Sequence, residues 1–205
     1  MDEKIEICAI GGYSEVGKNM TAIRYGDEVI ICDMGFYLPK LISFEEDGGS
    51  REDLTRDQLI EIDAIPDDTV IQKWKDKVKA IVVTHCHLDH LGAVPYMASD
   101  FHCPVIATPF TIEVLKRILH DEDLQIPNPL KVLNPNSSLK ISKNITIEFL
   151  NMTHSTPQTV MIAIHTPAGA VIYANDFKFD NHPVVGKKPD YARLKEIGRK
   201  GVFAL

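Results

Sequence analysis

Short apolar runs separated by turn residues open the chain. Residues 4–10 (KIEICAI) lead into Gly11-Gly12, and residues 20–26 (MTAIRYG) and 28–35 (EVIICDMG) follow. Gly26-Asp27 between the latter two is a hairpin signal, so the opening third predicts an antiparallel meander. Residues 78–84 (VKAIVVT) form a nearly continuous, β-branched apolar run, as a strand buried on both faces does. Leu88, Leu91, Ala93, Val94, Tyr96 and Met97 then predict a short helix, and residues 104–108 (PVIAT) a strand. Residues 109–123 begin with Pro109 and place apolar side chains at 112, 114, 115, 118 and 119, the pattern of an amphipathic helix. Strands are predicted over 144–152, 159–166 and 170–176, with Pro167-Ala168-Gly169 as the turn between the last two. A helix over 190–200 leads to a last strand, GVFAL. Between 44 and 76 only residues 56–62 (RDQLIEI) look helical. This order predicts a layered α/β protein with antiparallel or mixed sheets.

The chain has 205 residues, 44% of them hydrophobic and 25% charged, which fits one globular domain spanning 1–205. Disordered, collagen-like and disulfide-scaffold chains are excluded. No apolar run approaches the roughly 20 residues of a membrane span. The start, MDEKIEICAI, carries acids where a secretory signal has bases, so a cytoplasmic protein is expected. Cys8, Cys32, Cys86 and Cys103 include no CxxC pair and read as free thiols. The chain stops inside an apolar run, which suggests the N-terminal portion of something longer.

Net charge is −7, and residues 44–76 hold all of it: 11 acids against 4 bases there, 18 against 18 elsewhere. That segment reads as an acidic insertion with a solvated face. Residues 177–205 are locally basic, with 7 bases and 3 acids, so a polyanion could still meet a favourable surface.

The informative segment is His85-Cys86-His87-Leu88-Asp89-His90, four potential metal ligands in six residues after a buried strand. In extended backbone His85 and His87 face the same side and can share one ion. Asp89 and His90 follow where the chain bends into a helix and could serve a second. His154 and Asp176 stand at two other strand ends, with Asp176 placed to bridge two ions, and Asp33 at a third end could orient a ligand or its loop. His102, His120, His165 and His182 read as structural or surface residues.

HCHLDH resembles the HxHxDH signature of the metallo-β-lactamase superfamily, with Asp33, His154 and Asp176 in the order of its other motifs. Within it, residues 11–20 (GGYSEVGKNM), 82–96 (VVTHCHLDHLGAVPY), 153–159 (THSTPQT) and 173–184 (YANDFKFDNHPV) resemble the ribonuclease J (β-CASP) family, its archaeal branch above all. The resemblance is weakest over 40–75. It implies a four-layer αββα sandwich with two zinc ions at the sheet edge. His85, His87 and His154 would bind the first, Asp89 and His90 the second, and Asp176 would bridge. It further implies hydrolysis of RNA phosphodiester bonds by hydroxide held between the ions. The expected substrate is single-stranded RNA with a 5′-monophosphate, degraded 5′ to 3′. Asp89 is the candidate proton acceptor and Lys178 a candidate RNA contact; a homodimer is compatible with the family. Manganese is an alternative metal, since histidine–carboxylate sites accept both. Family members are about twice this long: a β-CASP domain interrupts the fold, and a later segment supplies another histidine to the second zinc. Gln158 stands where bacterial members often carry an acid. Two other readings are a hydrolase of thioesters or small phosphodiesters on the same fold, and a catalytically silent RNA- or protein-binding domain.

Overall fold

Apolar residues alternate through the opening segments, and three antiparallel strands form from them: β1 (Ile5–Gly11), β2 (Met20–Tyr25) and β3 (Glu28–Cys32). The computed structural model describes residues 4–51 and 54–205, so the first three residues of the opening and Glu52 and Asp53 of the acidic stretch lie outside it. Strand β4 (Val78–Val82) runs parallel to β3 and is buried except at Lys79, as its apolar run predicts. Strands β5 (Val105–Ala107) and β6 (Leu130–Val132) extend this first sheet in parallel, in the order β1-β2-β3-β4-β5-β6.

The second sheet is built from β7 (Ser138–Lys140), β8 (Thr146–Asn151), β9 (Val160–Thr166), β10 (Gly169–Tyr173) and β11 (Val202–Ala204). Its order is β11-β10-β9-β8-β7, antiparallel except for the β10–β11 pair. Ile30, Val82 and Ile106 of the first sheet meet Ile147, Phe149 and Ile162 of the second in a buried layer. Burying such side chains contributes about 1.5–3 kcal/mol each.

Helices cover the two outer faces. On the first sheet lie α1 (Leu38–Glu46), α2 (Arg56–Glu61), α3 (Leu88–Leu91), α4 (Val94–Met97) and α5 (Pro109–Asp121), which contribute Leu41, Leu59, Leu91, Met97 and Leu115 to that core. On the second, α6 (Tyr191–Lys200) packs Leu194 and Ile197 against Leu150, Met161 and Ile172. The result is the expected αββα sandwich. All four cysteines are free.

The acidic stretch is not simply a solvated face. Leu59, Ala64, Ile65 and Ile71 enter the core, and Asp68 is buried at 3% exposure. Arg56 pairs with Asp68, and Arg56 and Lys75 reach Asp100 at 3.1 and 3.0 Å. Part of the charge is therefore internal wiring that ties this stretch to the layer of α4. Helix α1 and the 3-10 segment Asp68–Lys77 were not foreseen, because charged residues interrupt their apolar positions.

A second ionic cluster ties α6 to its sheet. Glu148, in mid-strand, accepts bonds from Arg193 Nε (2.6 Å) and Nη2 (2.9 Å) and lies 2.8 Å from His165 Nε2. Burial alone would raise the Glu148 pKa, but Arg193 and His165 outweigh it and hold it below the ordinary carboxylate value. Its stabilising contribution is therefore present above the unfolded pKa, about 4.3, and is lost as pH falls through the lower folded value. Glu148→Gln is expected to cost about 2 kcal/mol at pH 7. Urea unfolding of both proteins should show the gap closing as the solution is acidified; a gap that widens in acid contradicts this assignment.

Candidate metal centre

The loops at one end of the two sheets converge on the motif. His85 directly follows Val83 and Thr84 at the end of β4, where Val83 N–H donates to Ile106 O and Val160 N–H to Thr84 O, fixing both sides of the exit. His87 has extended backbone and ends the strand-like run, and α3 starts at Leu88, so Asp89 and His90 leave in a new direction. The loop after β3, together with Asn19 just before β2, holds this turn from the other side. Met34 N–H donates to His90 O (2.8 Å), Phe36 N–H to Leu88 O (2.8 Å) and Asn19 N–H to Asp89 O (3.1 Å).

Six side chains meet there. His85 Nε2 lies 3.0 Å from His87 Nδ1, His154 Nε2 lies 3.2 Å from the same His87 atom, and His154 Nε2 lies 3.6 Å from Asp176 Oδ2. His90 Nε2 stands 3.3 Å from Asp89 Oδ2 and 3.8 Å from Asp176 Oδ2. The donors thus fall into two groups, His85, His87, His154 and Asp176, and Asp89, His90 and Asp176, with Asp176 common to both. Ligands about 2.0–2.1 Å from a tetrahedral ion are about 3.3 Å apart, so these separations suit a cation at the centre of each group. The donor chemistry, imidazole with carboxylate, suits zinc and manganese alike.

Protonation prepares the first group. Burial, with His90, His87 and His154 nearby, drives the His85 pKa down to about 2. Burial also lowers that of His154. Both rings are therefore neutral at pH 7 and keep a lone pair for a cation. Burial disfavours a charged His90 as well, but Asp33 and Asp89 outweigh it and raise its pKa to about 10, so a cation must displace the Nε2 proton before this ring can ligate.

Asp33 ties the two groups together. It is fully buried, with a positive φ of 60° that aspartate tolerates better than most residues. Its carboxylate accepts from Thr84 N–H (2.8 Å), Thr84 Oγ1 (3.0 Å) and Asn175 Nδ2 (2.6 Å), and lies 2.9 Å from His90 Nδ1. The Thr84 hydroxyl spends its one hydrogen on Asp33, so its lone pair faces His85 Nδ1 at 3.0 Å. His85 Nδ1–H then donates to Thr84, His90 Nδ1–H donates to Asp33, and each ring turns Nε2 toward its cation position. One buried carboxylate thereby sets the tautomer of a ring in each group. The sequence pattern leads to the expectation that Asp33 orients a ligand or its loop; it does not single out Thr84, Asn175 or Asn19, whose amide donates to Asp89 O at 2.9 Å. Thr84 and Asn175 each adjoin a donor, which was their available signal. Asp33→Asn is expected to weaken metal binding about 10–100-fold while the chain stays folded; competition with a chromophoric chelator would measure it.

The remaining candidates sort cleanly. His165 bonds Glu148, and His102, His120 and His182 are exposed. Lys178 is exposed two residues beyond Asp176, its N–H donating to Thr153 O at 2.7 Å beside His154. Gln158 accepts from Phe110 N–H (2.9 Å) at the start of α5, a place where an acid would serve equally.

Residues 59–191 match the model of the beta-lactamase superfamily domain. The chain belongs to that superfamily. It is 50% identical over 201 residues to the ribonuclease J of Methanocaldococcus jannaschii and 44% identical over 203 residues to that of Pyrococcus abyssi. In both cases 98% of this chain matches 44% of the relative. The Streptococcus pyogenes ribonuclease J 1 is 36% identical, matching 98% of this chain and 33% of its own length, so the archaeal proteins are more similar. The chain thus spans less than half the length of these curated relatives. Among solved structures, a protein of unknown function from Enterococcus faecalis V583 superimposes with a TM-score of 0.65 at 21% identity, over 86% of this chain and 44% of that one. The metallo-beta-lactamase fold protein YhfI from Bacillus subtilis gives 0.51 at 15%, over 83% and 62%. Both show the shared fold. No helix among the described residues is long and apolar enough to cross a membrane.

Proposed function

We propose that this chain carries the metal-ligand half of a ribonuclease that hydrolyses RNA phosphodiester bonds in the cytoplasm, acting 5′ to 3′ on single strands with a 5′-monophosphate. The observation that carries the reading is the pair of donor groups sharing Asp176, within a chain half identical to a ribonuclease J. His85, His87, His154 and Asp176 would hold one zinc ion, and Asp89, His90 and Asp176 a second. Such cations supply Lewis acidity, making hydroxide available near pH 7 and offsetting negative charge on phosphoryl oxygens.

The chain's own residues position and protect. Asp33 and Thr84 hold two imidazoles in the ligating tautomer. The main-chain bonds from Asn19, Met34 and Phe36 lock α3 so that Asp89 and His90 cannot swing away. Burial would raise the Asp89 pKa, yet the bond to His90 holds it below the ordinary range, which makes it a good ligand and a weak base. Its part is ligation first and proton acceptance second.

The test uses the product of the complete reading frame on 5′-monophosphorylated single-stranded RNA labelled at its 3′ end. Mononucleotide release that His87→Ala lacks supports the reading. Internal fragments alone would keep the nuclease and change its mode. A protein that holds two metal ions and leaves RNA intact sinks it, and thioester and small phosphodiester substrates become the next choice.

A further inference from the structure

We propose that the strap over residues 177–191 is a track for single-stranded RNA, leading nucleotides away from the metal centre; this rests on the ribonuclease reading above. The strap starts beside Asp176 and is pinned along the outgoing end of β8. Lys178 N–H donates to Thr153 O, Asn151 Nδ2 donates to Lys187 O (2.9 Å) and Lys188 O (3.1 Å), and Asp190 N–H donates to Asn151 O (3.3 Å). These bonds hold the lysine-bearing backbone next to His154.

Its charges are free for a ligand. Lys178, Lys187 and Lys188 are exposed, and none of them has an ion pair among the described residues. The basic residues Arg193 and Lys200 of α6, by contrast, are engaged by Glu148 and Glu196. The two acids in the strap are occupied locally: Asp180 accepts from His182 N–H and Asp190 caps α6 through Arg193 N–H.

Aromatic faces accompany the lysines. Phe177 and Phe179 are 38% and 63% exposed, with ring centroids 5.1 Å apart, and Phe179 lies 5.8 Å from the Tyr191 ring. Two clefts of about 580 and 480 Å³ share Asn136 and Lys187. The first reaches Pro157 and Gln158, on the loop that carries His154; the second reaches Tyr191. They adjoin at Asn136 and Lys187, so the cleft surface runs from the loop after His154 past Lys187 and Lys188 to Tyr191, whose ring neighbours Phe179. Unpaired lysines beside exposed rings are what a single strand needs, because lysines follow its phosphates and rings stack on its bases without reading sequence.

Fluorescence anisotropy of the wild-type chain with a labelled 12-residue oligouridylate, in EDTA to prevent cleavage, tests this. Phe179→Ala should weaken binding about 10-fold and Phe179→Trp should retain it. The double variant Lys187→Ala, Lys188→Ala should reduce the slope of log affinity against log salt by about 1.4. An RNA duplex should bind more weakly than the single strand. A wild-type chain that does not bind at 50 mM salt, or variants within about twofold of wild type at an unchanged slope, overturns the proposal. So does self-association that Phe179→Ala abolishes while RNA affinity stays the same, which would assign the rings to a protein contact. The two readings fail separately: binding through the strap by a chain that takes up no metal in a separate titration without EDTA removes the nuclease and keeps the track. Cleavage by the complete protein with unaltered strap variants does the reverse.

Discussion

Gly35→Ala is expected to dismantle the metal centre without altering a single donor. A β-carbon at Gly35 would stand 1.6 Å from Asp89 O and 2.0 Å from its carbonyl carbon. Both are backbone atoms at the start of α3, so no side chain can rotate out of the way. The loop after β3 must then separate from residues 88–90 and give up the bonds from Met34 to His90 and from Phe36 to Leu88. We expect a loss of about 3 kcal/mol in denaturant unfolding, at the upper end of overpacking costs. Metal affinity should fall by about 100-fold or more, because Asp89 and His90 move together. A Gly35→Ala chain with wild-type stability and metal content would show that the two loops do not pack this closely. Gly92→Ala offers a milder comparison, since its β-carbon would meet the Phe36 ring at 2.4 Å, part of which a side-chain shift can relieve, as well as Leu88 O at 2.5 Å.

On the ribonuclease reading proposed above, Asp176→Ala is expected to abolish RNA cleavage by the complete protein, a fall of about 1,000-fold or more. Asp176 is the one donor common to both groups, so its loss leaves three ligands in one and two in the other. A thousandfold corresponds to about 4 kcal/mol of transition-state stabilisation, within the several kcal/mol that a metal Lewis acid supplies. His120→Ala, on the exposed face of α5, should cleave at the wild-type rate and is the control for handling. Asp176→Ala activity within tenfold of wild type would mean that the carboxylate does not hold the ions.

Much of this is legible in the amino-acid sequence. Short apolar runs predict β1–β5 and β8–β11, and apolar residues at helical spacing predict α5, because most of these elements bury one face or both against a continuous core. Four ligand-type residues in six have no ordinary structural use, so HCHLDH stood out. What the sequence hid is what depends on distant partners. Strand β7 has intermediate or exposed side chains, and its pairing with β8 depends on main-chain bonds that no side-chain period reports. The burial of Asp68 depends on Arg56 and Lys75 folding over it. Thr84 and Asn175 signal only that each adjoins a donor, since serving Asp33 requires three strand ends to meet. Gly35 likewise looks like an ordinary turn residue until the backbone of Asp89 is placed against it.

The most direct test of the two-group centre is to count ions on the folded chain, by titrating zinc against a competing chelator and confirming the content by elemental analysis. Two equivalents are expected, the first binding more tightly because it has four donors rather than three. Asp176→Ala should weaken both steps, and His87→Ala only the first. A folded chain that binds no zinc stoichiometrically, or binds it equally well without Asp176 and His87, would contradict the centre described here.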